Sequence, residues 1–220
     1  MKRVPEPELM DDPQQAAAYA AADFSEPHQA FVEHFRRLFP QFAGGRVLDL
    51  GCGPADVTIR FARAFPRARL TGVDGAEPML RLGREAVSRA RLRSRIALRR
   101  VRLPDPGLES ARAYDAVISN SLLHHLASPH VLWRTLAGAA RPGAPVLVMD
   151  LARPASRAAA RALVRQYAAD APAVLQRDFF NSLLAAYRPE EVVEQVRSCG
   201  LDRIRVEAVS DRHWLAWGHV

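Results

Sequence analysis

The chain has 220 residues, of which 49% are hydrophobic and 25% charged, and its formal net charge is +7. That composition fits a single globular domain with a full core. No apolar run reaches the roughly 18 residues of a membrane span, and Met1-Lys2-Arg3-Val4-Pro5-Glu6-Pro7-Glu8 lacks the apolar stretch of a secretion signal. Cys52 and Cys199 stand far apart without metal-ligand spacing, so both read as small packing residues in a reducing, cytoplasmic setting.

The positive charge is almost all arginine, and it is concentrated. Residues 81–102 hold nine arginines against one acid, Glu85, which accounts for the whole excess. The segment is either an anion or nucleic-acid patch or a solvated helix face beside an edge strand. No aromatic residues interleave the arginines, as a base-stacking platform requires.

In chain order, Asp11 to Ala22 is Ala-rich and helix-prone. Glu26 to Phe39 is a second helix with Phe31, Phe35, Leu38 and Phe39 on one face, stopped by Pro40. From Arg46 the pattern alternates. Strands are expected at 46–50, 68–73, 96–101, 114–119 and 144–150. Helices are expected at 56–65, 77–91 and 129–140. Residues 155–187 interrupt the alternation as a helical insertion, with Pro172 opening a second helix and Asp170 near its cap. A helix from Arg188 to Gly200 follows, then two alternating strands, 204–209 and 213–218, joined at Ser210-Asp211-Arg212. The expected fold is α/β: a doubly wound, mostly parallel seven-stranded sheet with a C-terminal antiparallel hairpin and a helical cap. It forms one domain over 1–220, with 1–43 as helices over the site and 152–188 as a lid.

The most informative stretch is Arg46-Val47-Leu48-Asp49-Leu50-Gly51-Cys52-Gly53-Pro54-Ala55-Asp56. A strand that ends in glycines and feeds a helix lets a ligand approach the bare backbone, and the helix N-terminus adds unpaired N–H donors. A dinucleotide fingerprint needs G-x-G-x-x-G/A. Gly51 and Gly53 fit, but the third position is Asp56, whose carboxylate repels a pyrophosphate. The loop also lacks the G-x-x-x-x-G-K-[ST] pattern. What remains is a nucleoside ligand without phosphates. Asp74 ends the second strand 23 residues beyond Gly51, where an acid accepts hydrogen bonds from ribose hydroxyls.

With these residues the chain resembles the class I S-adenosylmethionine (SAM) dependent methyltransferases. The resemblance rests on Val47-Leu48-Asp49-Leu50-Gly51-Cys52-Gly53, Gly72-Val73-Asp74, Pro78-Met79-Leu80, Asn120-Ser121-Leu122-Leu123-His124-His125-Leu126 and Arg141-Pro142-Gly143. It covers about residues 30–151 and is closest to small single-domain enzymes that act on small molecules. It implies SAM as cofactor and S-adenosylhomocysteine as product. By the same resemblance Asp49 and the Gly51-Cys52-Gly53 backbone hold the methionine end, Asp74 the ribose, and Gly75, Ala76, Met79 and Leu103 the adenine. Asn120 sits next to the sulfonium.

Two positions depart from the family pattern. Ala55 stands where glycine is usual, and alanine disfavours positive φ. Arg102 falls where an Asp usually contacts the adenine amine, and arginine accepts no hydrogen bond. Either Asp105 or a backbone carbonyl takes that contact, or Arg102 contributes by stacking on adenine or pairing with a carboxylate.

His124 and His125 follow the fourth strand. They are candidates for a base or a substrate ligand, or one of them packs under the loop and caps the next helix. No carboxylate or Cys neighbours them in sequence, so no metal is expected. In the insertion, Phe180, Leu183, Leu184 and Tyr187 are spaced as a core stripe, which leaves Asn181 as the polar candidate for substrate contact. Tyr19 and His28 are candidates from the N-terminal helices, whereas Asp211-Arg212-His213-Trp214 reads as a hairpin turn. The expected activity is methyl transfer to an O, N or S atom of a small molecule, by a monomer or homodimer with no membrane partner. The alternatives are an RNA-modifying enzyme using the 81–102 face, an enzyme using a modified, carboxylate-bearing SAM paired with Arg102, and a SAM-binding protein without turnover.

Overall fold

The computed structural model describes residues 1–6 and 9–220. Seven strands form one sheet: β1 (Gly44–Leu50), β2 (Arg67–Asp74), β3 (Ile96–Arg100), β4 (Ala116–Asn120), β5 (Pro145–Leu151), β6 (Arg205–Ala208) and β7 (His213–His219). Their order is β3-β2-β1-β4-β5-β7-β6. The first five are parallel, β7 runs antiparallel to β5, and β6 pairs antiparallel with β7. The doubly wound sheet and closing hairpin are those expected from the sequence.

The helices among the described residues are α1 (Pro13–Ala21), α2 (Ser25–Leu38), α3 (Asp56–Ala64), α4 (Glu77–Arg89), α5 (Pro106–Glu109), α6 (His130–Ala139), α7 (Arg157–Tyr167), α8 (Ala173–Ala185) and α9 (Pro189–Ser198). Local chemistry sets several starts. Asp12 accepts from Gln15 N at 2.7 Å to cap α1, with Pro13 at its first position. Ser156 caps α7, and Glu191 folds back to accept from Arg188 N at the head of α9. Asp170, expected near the cap of the second insertion helix, does not cap it. Pro172 is the N-cap of α8 and no side chain bonds there. The four-residue α5 and the 3₁₀ turn Leu123–His125 have no periodic signal of their own and were not legible in the sequence.

Both faces of the sheet are covered, and the strand alternation shows which residue goes where. On β5, Val146 and Val148 point into the core shared with Trp133, Leu136 and Val192 of α6 and α9. Leu147 and Met149 point into the opposite core, built on Phe31, Phe35 and Phe61 of α2 and α3. A smaller cluster joins Ala160 and Leu163 of α7 to Leu183 and Leu184 of α8. This confirms Leu184 as a packing residue.

The order of winding reverses between β1 and β4, and a sheet of this kind opens a crevice at the carboxyl ends of those strands. The turn after β1 is anchored there. Gly51 N and Cys52 N both donate to Val73 O of β2, at 2.8 and 3.0 Å.

Candidate active site

A cavity of about 760 Å³ occupies this crevice. Its floor is the exits of β1, β2 and β4, and its roof comes from the N-terminal segment, α1, α2 and α8. Gln15 of α1 donates to Asp178 of α8 at 2.7 Å, so the two roof helices meet above it.

The glycine turn forms one wall. Gly51 and Gly53 have φ of +72° and +50°, conformations that exclude most side chains. A Cβ on Gly51 would lie 2.9 Å from Leu122, whereas one on Gly53 would meet nothing within 4 Å. The Gly53 position therefore borders open cavity. Ala55 adopts φ +67°, a left-handed conformation that costs roughly 1–2 kcal/mol for a residue with Cβ. Its methyl is fully buried among the α2 and α3 aromatics, which offsets about 0.8 kcal/mol of that cost.

Asp49 is buried, and Thr58 Oγ1 of α3 donates to its Oδ2 at 2.6 Å. Burial pushes its carboxyl up to about 7, against the Thr58 hydrogen bond. Asp74 is tied to the turn it faces. Gly53 N donates to Oδ2 at 2.9 Å and Ala76 N to Oδ1 at 2.8 Å. Burial raises this carboxyl as well, opposed by those amides. Each oxygen keeps acceptor capacity for a ligand hydroxyl. Gly75, Ala76 and Met79 continue the wall as an apolar slot, closed by Val101 and Leu103. Cys52 is buried on the same turn, and burial pushes its thiol well above its usual value.

Arg102 borders the cavity but is exposed at its rim. Asp105, one of the expected substitutes for the missing adenine contact, is occupied elsewhere. Its Oδ1 accepts from Leu108 N at 2.8 Å as the N-cap of α5, and it is not on the cavity wall. Val101, Arg102 and Leu103 border the cavity instead.

The acceptor side holds Asn120 and the imidazole pair. Asn120 ends β4, and its buried Oδ1 has no hydrogen-bond partner among the described residues. His124 is 3% exposed, and its Nδ1 lies 2.5 Å from Asp150 Oδ1 at the end of β5. Burial opposes charge on this ring, but Asp150 and then Glu6 hold it above its usual value. His125 stacks beside it with ring centroids 4.1 Å apart. Tyr19 packs on Phe24, and burial pushes its phenol up to about 12, so it stays a donor. His28 borders the cavity, but its Nδ1 is 2.7 Å from Asp56, which also accepts from Arg60.

Three expectations are corrected here. Asn181 is exposed on the outer face of α8 and does not reach the cavity. The inward face carries Leu175, Asp178, Phe179 and Ser182, at the 3- and 4-residue spacing of one helix side. The hairpin turn at Ser210–Arg212 is a turn, yet it also brings Arg212 and His213 to the wall. Glu6 places a carboxylate beside the histidines, 3.3 Å from His125 Nδ1 and 3.5 Å from His124 Nε2, where none was expected.

Thr58, Asp150, Glu6 and Ser182 had no assigned role in the sequence reading. Asp150 had a signal, being an acid at the carboxyl end of the strand beside β4. Glu6 had none, because it lies 118 positions before His124.

The residues present fit a phosphate-free nucleoside: a bare backbone at Gly53, an acid at the end of β2, an apolar slot, and at Asn120 an amide oxygen with no partner among the described residues. The fold is thus a doubly wound α/β sheet with a cavity where the winding reverses. Residues 48–146 match the family described as methyltransferase domain. An uncharacterized methyltransferase of Mycobacterium tuberculosis is 33% identical over 112 residues, covering 50% of this chain and 53% of that protein. A trans-aconitate 2-methyltransferase of Paracidovorax citrulli is 33% identical over 135 residues, covering 60% and 48%. The chain thus spans about half the length of the curated relatives it matches. A SAM-dependent methyltransferase from Aquifex aeolicus superposes with a TM-score of 0.68 at 17% identity, covering 95% of this chain and 98% of that one. Over residues 48–146 the chain is thus similar to methyltransferase domains, and its fold is the one seen in solved SAM-dependent methyltransferases.

Proposed function

We propose that the protein transfers the methyl group of SAM to an O, N or S atom of a small molecule and releases S-adenosylhomocysteine. The observation that carries this reading is the position of Asn120. Its unpartnered Oδ1 lies on the one cavity wall that also carries Asp49, Gly53 and Asp74 toward the cofactor side and His124 and His125 toward the acceptor side. The trans-aconitate relative acts, by its name, on a small molecule, which supports an acceptor of that size.

The Gly51–Gly53 turn and Asp49 would hold the methionine end, Asp74 the ribose, and Ala76, Met79 and Leu103 the adenine. SAM supplies an already activated methyl on a sulfonium. The chain's contribution is alignment of the acceptor with that methyl, which is mainly a proximity effect. Tyr19, Phe24 and Phe179 give the acceptor chamber an apolar lining. Asp150 holds Nδ1 of His124, which leaves Nε2 as the atom that takes the acceptor's proton.

The test is a panel of small hydroxy, amino, thiol and carboxylate acceptors with methyl-labelled SAM, run beside calorimetric SAM binding. Label transfer to a small molecule is expected. His124→Ala and His125→Ala are expected to lower turnover about 10²–10⁴-fold, the usual contribution of a general base, with SAM affinity kept. Full activity in both variants would end the proton-transfer role. Label transfer only to RNA would replace the small-molecule reading.

A further inference from the structure

The group formed by Glu6, His124 and His125 has a geometry that the methyl-transfer chemistry does not require. One atom of each residue (Glu6 Oε1, His124 Nε2 and His125 Nδ1) lies within 4.8 Å of the other two. The contacts to Glu6, at 3.5 and 3.3 Å, are longer than the roughly 2.7–3.2 Å of an N–H···O hydrogen bond. They match a different spacing. Ligands at about 2.0–2.1 Å from a tetrahedral zinc ion stand roughly 3.3–3.4 Å apart. From these observations we propose that Glu6, His124 and His125 form a three-ligand site for a zinc-class divalent cation, with its fourth position open to the acceptor chamber.

Three further features support the assignment. Asp150 accepts from Nδ1 of His124 at 2.5 Å and is itself buried. A carboxylate behind a ligating imidazole fixes the tautomer that presents Nε2, a recurrent arrangement around zinc. Glu6 is also held in place. Ser182 Oγ donates to its Oε1 at 2.9 Å, Val4 N donates to Leu184 O at 3.0 Å, and Arg3 Nη2 donates to His124 O at 2.9 Å. Arg3, Val4 and Glu6 are thereby strapped across the imidazoles and the end of α8. Finally, both histidines border the cavity, so the open position faces the chamber where an acceptor would sit. Two imidazoles and one carboxylate suit zinc or a neighbouring first-row ion, whereas Mg²⁺ and Ca²⁺ prefer oxygen-only sets.

Metal binding at this site does not depend on methyl transfer. Its consequence for the reaction does rest on the proposed function. With the cation bound, His124 Nε2 is a ligand instead of a proton acceptor. A hydroxyl or thiol coordinated at the open position loses its proton to solvent at lower pH and presents its lone pair.

The test uses the full chain, stripped with a chelator and titrated with Zn²⁺ against a chromophoric competitor, with Co²⁺ as a spectroscopic substitute. One equivalent of Zn²⁺ and a tetrahedral Co²⁺ absorption band are expected. Asp150→Asn is expected to weaken Zn²⁺ about 10- to 100-fold, and Glu6→Gln at least as much. Gln keeps an oxygen that accepts from Ser182, so Glu6→Gln is expected to keep its melting temperature and SAM affinity. Less than stoichiometric Zn²⁺ in the wild type, or unchanged Zn²⁺ affinity in Glu6→Gln, overturns the proposal and leaves Glu6 as an ion-pair partner of the histidines. SAM binding is read on the same samples by calorimetry. Its absence would count against the methyltransferase reading and not against the metal site.

Discussion

Asp74 and Asp49 line the same cavity, and their environments say how to test the separate roles proposed for them. Asp74 accepts from two backbone amides and keeps acceptor capacity for a ligand. Hydrogen bonds to a charged group contribute about 1.5–3 kcal/mol each. Asp74→Ala is therefore expected to weaken SAM by at least tenfold in calorimetry, and unchanged affinity would contradict the ribose assignment. Asp49 gives a pH signature. Its carboxyl is raised from 3.8 to about 7 by burial. Between those values the folded protein holds a proton that the unfolded chain has lost. In the ligand-free state this group's contribution to stability therefore falls as pH rises through the window, by about 1.4 kcal/mol per unit, and is flat above it. The methionine end of SAM carries an ammonium, which favours the ionised carboxylate. SAM affinity is thus expected to rise from about pH 6 toward pH 8, and Asp49→Asn is expected to flatten that rise. An equal slope in both proteins would remove Asp49 from the binding site.

At the scale of elements, the roof depends on how α2 sits on α3. Phe35 is fully buried, with ring centroids 4.9 Å from Phe39, 5.2 Å from Phe42, 4.8 Å from Phe61 and 5.5 Å from Phe65. The same two helices carry His28 and Asp56 at the cavity, 2.7 Å apart. Phe35→Ala is expected to cost about 3–5 kcal/mol, read as a lower urea midpoint with an unchanged slope. The α2 stripe was legible because four aromatic or aliphatic residues recur at helical spacing. The face of α8 was misjudged at Asn181 because an amide amid apolar neighbours carries no direction. The face is set by which side meets α1 and Glu6, and that put Asp178 and Ser182 inward. The strand starts and ends were read to within a residue or two from Gly, Pro and alternation. The short α5 was missed because its start depends on the Asp105 cap and its packing under α6.

For the molecule as a whole, a ligand that binds only the folded state stabilises it by mass action. At a hundred times its dissociation constant the gain is about 2.7 kcal/mol, which for a chain of this size corresponds to roughly 5–10 °C in melting temperature. S-adenosylhomocysteine is expected to produce such a shift and NAD none; the reverse result would overturn the nucleoside assignment. The arginine-rich segment lies on α4 and on β3, the edge strand of the sheet. Several of its side chains are engaged locally. Arg84 donates to Glu77 at 2.5 Å, Arg95 to Ala62 O at 2.7 Å and Arg100 to Gly75 O at 3.2 Å. Among the described residues no helix is long and apolar enough to cross a membrane.

The sequence by itself determined the alternating sheet, the closing hairpin, the glycine turn and the acid at the end of β2. Each of these is written in local periodicity or in a fixed spacing along one βαβ unit. It also pointed away from a dinucleotide, through the Asp56 carboxylate inside that same short motif. The tertiary structure decided what local pattern does not encode. It selected the inward side of α8, brought Asp150 behind His124 across two strands, and laid Glu6 against both histidines from the far end of the chain. Contacts of that kind depend on the docking of whole elements, and no spacing between neighbouring residues reports them.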